Sequence, residues 1–132
     1  MGCPDVGAAR FSSPSDLPLD RAALLRRMCG DESDVREILE ITRRTCPTLL
    51  DDVRKTLHER EPAALARAAH ALRGALLVAA APPHTAQLAQ ELEAAACRAD
   101  LSGCDRALEM LANKVELFLR ALDDDLTIHS TA

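Results

Sequence analysis

The chain has 132 residues, the size of one domain, and 48% of them are hydrophobic, which is enough to build a core, so the chain need not be disordered. A formal net charge of −5 and an aromatic content of 2% argue against a nucleic-acid-binding protein, which needs a basic face and aromatic rings that stack on bases. No apolar run reaches the ~18 residues of a membrane span and no secretory signal is visible, so we expect no membrane insertion and a cytoplasmic location.

The abundance of Ala, Leu, Arg and Glu, which are strong helix formers, predicts an all-α fold. Residues 1–15 mix Gly, Pro and Ser and are interpreted as a flexible N-terminal tail. A short first helix follows, with Asp16 or Asp20 as its N-cap and Gly30 at its end. Its apolar residues either all belong to the core or leave one or two exposed as a docking patch: Leu17, Leu19, Leu24, Leu25 and Met28.

The second helix is predicted to begin near Asp31 or Ser33 and to run to Leu57, because one apolar stripe continues across the whole stretch. Pro47 lies inside it, and a proline in a helix interior removes one hydrogen bond and crowds the preceding turn. We therefore expect one helix with a kink near residues 43–46. The stripe comprises Val35, Ile38, Leu39, Thr42, Cys46, Leu49, Leu50, Val53 and Leu57.

The third helix is predicted over residues 61–83, with Pro62 in its first turn and Pro82 and Pro83 ending it. A stripe roughly 80° wide faces the core on the helical repeat. The stripe comprises Leu65, Ala69, Leu72, Leu76 and Ala79.

The other side of this third helix does not look like an ordinary solvent face. His70 lies roughly 140° from the centre of the stripe, Leu77 about 120°, Gly74 about 180° and Arg67 about 200°. Arg73 lies one turn along from His70. A glycine in a helix interior costs about 1 kcal/mol relative to alanine, and the close approach of another molecule at Gly74 is one candidate for what compensates this cost.

A fourth helix is predicted over residues 85–99, a turn over residues 101–103, and a last helix over residues 104–122. Three aspartates follow at 123–125, where the helix dipole disfavours negative charge, so we expect fraying there and a C-terminal tail over residues 126–132. Short connections between long helices make antiparallel neighbours. Residues 16–125 are therefore predicted to form an antiparallel up-down four-helix bundle with a short additional N-terminal helix.

Few other residues suggest chemistry. The five cysteines are odd in number and form no Cys-x-x-Cys, so we interpret them as ordinary thiols. The spacing of Cys and His supports no metal site, and no Gly-rich loop supports an ATP site. Glu91 and Glu93 are expected to point to different sides of their helix and to be solvated rather than catalytic. His58 is expected near a helix end, and His84 in a solvent-facing loop.

The segment His70-Ala-Leu72-Arg73-Gly74 resembles the His-x-Leu-Lys-Gly signature of histidine-containing phosphotransfer (HPt) domains. The resemblance covers residues 18–122, because the short first helix, the turn at Gly30-Asp31 and the long second helix follow the order of that family. The segment from Gln87 to Glu93 is also similar to a Leu-x-x-x-x-x-Leu-Glu pattern of the family. The sequence departs from the family pattern at three positions, where lysine, glycine and phenylalanine are usual: Arg73, Ala80 and Thr42.

The resemblance implies a histidine phosphocarrier of a two-component phosphorelay. It implies His70 as the phosphoacceptor, Arg73 and Gly74 beside it, and Arg67 and Leu77 on the surface that docks the partner. The implied partner is a response-regulator receiver domain, a hybrid histidine kinase, or both. Mg²⁺ is expected on the receiver, and no cofactor on this chain. The resemblance also implies a monomer that is a phosphotransfer intermediate rather than an enzyme with its own ATP site.

Two main alternatives stay open beside the phosphocarrier, and a redox or metal-binding bundle is a third. One is a docking scaffold of the same fold that is not phosphorylated. The other is a plain helical interaction module in which His70 is incidental.

Overall fold

A computed structural model describes residues 17–129, which form five helices. They are α1 (Arg21–Arg27), α2 (Glu32–His58), α3 (Pro62–Val78), α4 (Pro83–Cys97) and α5 (Leu101–Ile128). The four long helices close into a ring of neighbours, in which α3 packs on α2 and α4, and α5 packs on α4 and α2. The short α1 packs against α2. The prediction of an all-α, antiparallel four-helix bundle with a short additional N-terminal helix is therefore confirmed.

Ion pairs between α2 and α5 show the antiparallel arrangement of these two helices. Arg43 near the middle of α2 pairs with Asp123 at 3.8 Å, whereas Arg60, just beyond the end of α2, pairs with Asp105 at 3.4 Å. The space between the four helices is filled almost entirely by aliphatic side chains. The largest fully buried side chain is the aromatic ring of Phe118, and the next largest are those of Leu24, Leu39, Leu65, Leu72, Leu76, Leu92, Leu111 and Leu122.

The first helix lies on the core rather than offering an exposed apolar patch. Leu24 is fully buried, and the other apolar residues of this region are partly buried: Leu17, Leu19, Leu25 and Met28. The carboxylate of Asp20 accepts a hydrogen bond from the Ala23 N–H at 3.0 Å, which caps the start of α1. The predicted tail over residues 1–15, and Asp16, lie outside the described residues.

The second helix continues through Pro47 without a break. Its start is capped by Asp31, whose carboxylate accepts hydrogen bonds from the N–H groups of Ser33 and Asp34 at 2.9 and 3.1 Å. Pro47 is exposed, so its ring stands on the solvent side of the helix. The prediction of one helix rather than two is confirmed, and the kink near residues 43–46 stays a prediction.

The third helix ends at Val78, four residues before the prolines that were predicted to end it. Ala80 has a φ of 55°, and the Ala81 N–H donates to the Leu76 carbonyl at 2.9 Å, so a left-handed residue closes the helix. The same left-handed conformation, with φ between 55° and 57°, closes three other helices at Cys29, Arg60 and Ala99. At Arg60, Ala80 and Ala99 no glycine marked the helix end, whereas Gly30, next to Cys29, had predicted the end of α1.

The last helix is longer at both ends than predicted. Leu101 to Gly103 form its first turn rather than a loop, because the carboxylate of Asp100 accepts the Gly103 N–H at 3.0 Å. At the other end the three aspartates stay helical, and the expected fraying is wrong. Arg21 of α1 donates to Asp125 at 2.8 Å, and Leu126 is buried one residue further on.

Residues 126–128 therefore belong to the bundle rather than to a C-terminal tail, and residues 130–132 lie outside the described part. Among the described residues, no helix combines the length and apolarity that a membrane crossing requires.

Candidate functional site

His70 projects from the middle of α3 into solvent. Its side chain is 69% exposed, whereas the predicted core stripe of the same helix is buried: Leu65, Ala69, Leu72, Leu76 and Ala79. The spacing of these apolar residues therefore assigned the two faces of α3 correctly. An exposed imidazole on a rigid helix is available to a second macromolecule without any rearrangement of the bundle.

One nitrogen of the imidazole is held by the neighbouring helix. Nδ1 of His70 lies 3.1 Å from Oε2 of Glu93 on α4. A carboxylate is an acceptor only, so the neutral ring satisfies this contact when the hydrogen is on Nδ1. Nε2 then carries the lone pair of the ring. It has no hydrogen-bond partner among the described residues.

Glu93 also approaches Arg73. One guanidinium nitrogen of Arg73 lies 3.7 Å from Oε1 of Glu93, which makes an ion pair but is too long for a hydrogen bond. Oε1 itself is inaccessible to solvent and has no hydrogen-bond partner. The side chain of Glu93 is 25% exposed and that of Arg73 is 32% exposed, so the pair is partly shielded from water. One carboxylate thus links the histidine and the arginine that α3 presents.

Gly74 lies one turn beyond His70, and nothing in the bundle requires it to be glycine. A Cβ atom built at this position meets no atom within 4 Å. Gly103 differs, because a Cβ there would lie 2.4 Å from the carboxylate of Asp100. The space beside His70 is therefore open, which suits the approach of another molecule to the imidazole.

Arg67 and Leu77 extend the exposed face of α3 on either side of His70. Both are exposed, and Leu77, at 46%, is followed by Val78 at 54%. Two adjacent apolar side chains are thus exposed at the C-terminal end of α3. The structure places all five predicted site residues on α3, and it brings His70 and Arg73 together through Glu93.

Glu93 is the member of the site that sequence reasoning missed. It was expected to be solvated, but it is half-buried and hydrogen-bonded to His70, whereas Glu91 is exposed and accepts a hydrogen bond from Gln87 at 3.3 Å. The available signal was its position directly after the core residue Leu92, at the edge of the buried face. That position does not reveal which residue of α3 stands opposite.

The remaining described histidines and cysteines make no hydrogen bond or ion pair with His70, Arg73 or Glu93. His58 ends α2 and is exposed, and His84 is exposed in the first turn of α4 rather than in a loop. The four described cysteines are free: Cys29, Cys46, Cys97 and Cys104. Burial raises the pKa of the Cys46 thiol to about 11, so this thiol stays protonated and unreactive. No group of three or more potential metal ligands occurs in the described part of the chain.

An exposed histidine on a four-helix bundle, with a basic residue and an open glycine beside it, defines the class of histidine phosphotransfer bundles. The family model of the Hpt domain matches residues 37–127, which is more than half of the chain. The chain therefore belongs to the Hpt domain family, whose members serve histidine phosphotransfer in phosphorelays. No curated protein and no solved structure matches the chain significantly. The match begins inside α2, so α1 precedes the matched segment.

Proposed function

We propose that this protein is a histidine phosphocarrier of a two-component phosphorelay, in which His70 exchanges a phosphoryl group with the aspartate of a receiver domain. The observation that carries the proposal is the state of the imidazole. The ring is 69% exposed, and Nδ1 is engaged by Glu93. Nε2, the nucleophilic nitrogen, is therefore accessible to a partner protein.

The reaction is a transfer between two nucleophiles. The lone pair of Nε2 forms a bond to phosphorus while the bond from phosphorus to the aspartyl oxygen of the receiver breaks, and that electron pair stays on the aspartate. The reverse sequence returns the phosphoryl group to a receiver. Phosphoryl transfer of this kind depends on in-line positioning and on compensation of the phosphoryl charge. We propose that the receiver supplies Mg²⁺ and an acidic pocket, while this chain has no cofactor of its own.

The neighbours of His70 have distinct roles in this proposal. Arg73 contributes positive charge to the phosphoryl oxygens, because its guanidinium lies beside the ring and is only loosely paired. Gly74 leaves room for the surface of the receiver. Arg67 attracts the acidic rim of the partner, and Leu77 provides apolar contact at the other end of the exposed face.

The partners of the carrier are receiver domains and hybrid histidine kinases in the cytoplasm. We propose that the chain acts as a monomer, because an exposed single histidine site needs no second copy to be complete. It receives and passes on a phosphoryl group that an ATP-dependent kinase introduced elsewhere.

The test is incubation of the purified chain with a panel of phosphorylated receiver domains, followed by measurement of the label on the carrier. Wild type is expected to gain an acid-labile, base-stable phosphate. His70→Gln is expected to gain none, and His84→Gln, which changes another exposed histidine, is expected to behave as wild type. A folded wild type that binds receivers but gains no phosphate would indicate the docking scaffold instead.

A further inference from the structure

We propose that the cleft between α4 and α5 is a second docking site, which binds an amphipathic helix of a partner protein with acidic residues beside its apolar face. The cleft has a volume of about 410 Å³. Three small residues line it, which leaves depth for the side chains of a bound helix: Ala95, Gly103 and Ala107. The proposal does not depend on phosphorylation of His70.

Exposed apolar side chains mark the α5 edge of this cleft. Met110 lines the cleft and is 51% exposed, and Leu117 is 46% exposed. Residues seven apart lie on nearly the same side of a helix, so the two side chains form one apolar edge along α5. The same helix buries Leu111, Val115 and Phe118 on its other side. Packing of the bundle core therefore does not account for Met110 and Leu117, whereas contact with a second helix would remove both from water.

The side chains that alternate with this apolar edge are cations. Arg106 and Lys114 lie three or four residues from the apolar pair, so they are its neighbours on the helix surface. Neither side chain makes a hydrogen bond or an ion pair with a described residue. Arg98, on the α4 side of the cleft, lies 3.9 Å from Asp100, which is a weak pair because both side chains are exposed. All three cations are therefore available to a partner.

The two carboxylates of the cleft are engaged within the chain. Asp100 accepts hydrogen bonds from the Gly103 N–H at 3.0 Å and from the hydroxyl of Ser102 at 3.3 Å. Glu91 accepts a hydrogen bond from the side-chain amide of Gln87 at 3.3 Å. The cleft thus presents free cations on a chain whose formal net charge is −5. Charge complementarity favours Asp and Glu beside the apolar face of the bound helix.

The cleft and the site of His70 lie on opposite sides of α4. Glu93 contacts His70, whereas Glu91 and Ala95, two residues before and after it, line the cleft. Two residues correspond to about 200° on the helical repeat. A helix bound in the cleft therefore leaves the imidazole accessible. In terms of the proposed function, one protein can hold the carrier while another exchanges a phosphoryl group with it.

The experiment uses two synthetic helical peptides, in which leucines form one apolar stripe and either glutamates or lysines flank it. Each peptide is added to the ¹⁵N-labelled chain, and NMR gives the residues whose signals shift and the dissociation constant. The acidic peptide is expected to shift the amide signals of the cleft and to leave the imidazole signals of His70 in place. The basic peptide is expected to bind at least about tenfold more weakly.

Met110→Gln and Arg106→Glu are each expected to weaken binding of the acidic peptide at least about tenfold. Ile41→Gln and Arg44→Glu are the matched controls, since both residues are exposed on α2, and they are expected to bind as wild type. Circular dichroism confirms that the variants are folded.

Three results would overturn the proposal: no binding of the acidic peptide, signal shifts centred outside the cleft, or unchanged affinity in Met110→Gln. Vesicles that contain phosphatidylglycerol test the other acidic surface that these cations could meet. Binding to the vesicles without binding to the acidic peptide would assign the surface to lipid and would also overturn the proposal.

Discussion

Arg27 of α1 donates a hydrogen bond to the backbone carbonyl of Leu77 at 2.5 Å, and the same guanidinium nitrogen reaches the carbonyl of Val78 at 3.2 Å. These carbonyls belong to the last turn of α3, where the Leu77 carbonyl also accepts the Ala80 N–H at 3.1 Å. The short first helix is thereby attached to the helix that carries His70. Arg21, at the other end of α1, bridges Glu32 and Asp125 at 2.7 and 2.8 Å.

Arg27→Ala is expected to lower the free energy of unfolding by about 1 kcal/mol, because the carbonyls of Leu77 and Val78 lose a charged donor but gain access to water. The measurement is chemical denaturation followed by circular dichroism. Arg26→Ala is the matched control, since the side chain of Arg26 is exposed and makes no hydrogen bond or ion pair with the described part of the chain. Equal stability of the two variants would show that the contact of Arg27 contributes nothing.

Gly74→Ala is expected to raise the free energy of unfolding by roughly 0.5–1 kcal/mol, because alanine favours the helix and its methyl group meets no neighbour. Gly74→Gln is expected to fold as well, since its side chain enters open space. Both substitutions are expected to slow phosphoryl transfer, the longer side chain more strongly. The free energy of unfolding is measured by chemical denaturation. The rate of phosphoryl transfer is measured with a phosphorylated receiver domain. Normal transfer by folded Gly74→Gln would remove any role of Gly74 in partner approach.

Ala99→Gly is expected to raise the free energy of unfolding by about 0.5 kcal/mol. Ala99 has a φ of 57°, where a Cβ atom costs about 1–2 kcal/mol, and part of the gain is offset by the greater freedom of glycine in the unfolded chain. Ala94→Gly, at an exposed position inside α4, is expected to lower the free energy of unfolding by about 1 kcal/mol. The changes in the free energy of unfolding of the two variants are expected to have opposite signs. A loss of stability in both variants would contradict the strain assigned to Ala99.

The cap of α5 predicts a dependence of stability on pH. The backbone hydrogen bond from Gly103 holds the pKa of Asp100 below its ordinary range, so the charged carboxylate favours the folded state. A lowered folded-state pKa gives stability that is present above the unfolded-state value of about 3.9 and is lost as pH falls through the folded-state value. The melting temperature of wild type is therefore expected to exceed that of Asp100→Ala above pH ~4, with the gap narrowing in acid. A difference in melting temperature that does not change with pH would show that the charged carboxylate of Asp100 does not stabilise the start of α5.

Local patterns in the sequence were sufficient for the features that depend on one helix at a time. The apolar spacing from Leu65 to Leu76 identified the buried side of α3, and therefore the exposure of His70. The bundle followed from four such stripes with short connections. The C-terminal end of α5, which sequence reasoning missed, depends on residues far apart in the chain. Helix α5 runs past Leu122 partly because Asp125 meets Arg21, which lies 104 residues earlier.

The contact between Glu93 and His70 was missed for the same reason, because it joins two different helices. Glu93 reaches His70 only because α4 packs on α3 in one particular register, and no spacing within α4 reports that register. Helix ends were misplaced for a different reason. Ala80 and Ala99 adopt the left-handed conformation without being glycine, so the usual signal for a helix end was missing at both positions.

The most direct test of the central claim is NMR spectroscopy of the full chain, labelled with ¹⁵N and phosphorylated by a receiver domain. The account predicts one phosphoryl group per chain, with phosphorus coupled to Nε2 of His70 and hydrogen retained on Nδ1. A phosphoryl group on Nδ1 or on another residue, or no phosphoryl group on the folded chain after contact with the receiver panel, would contradict it.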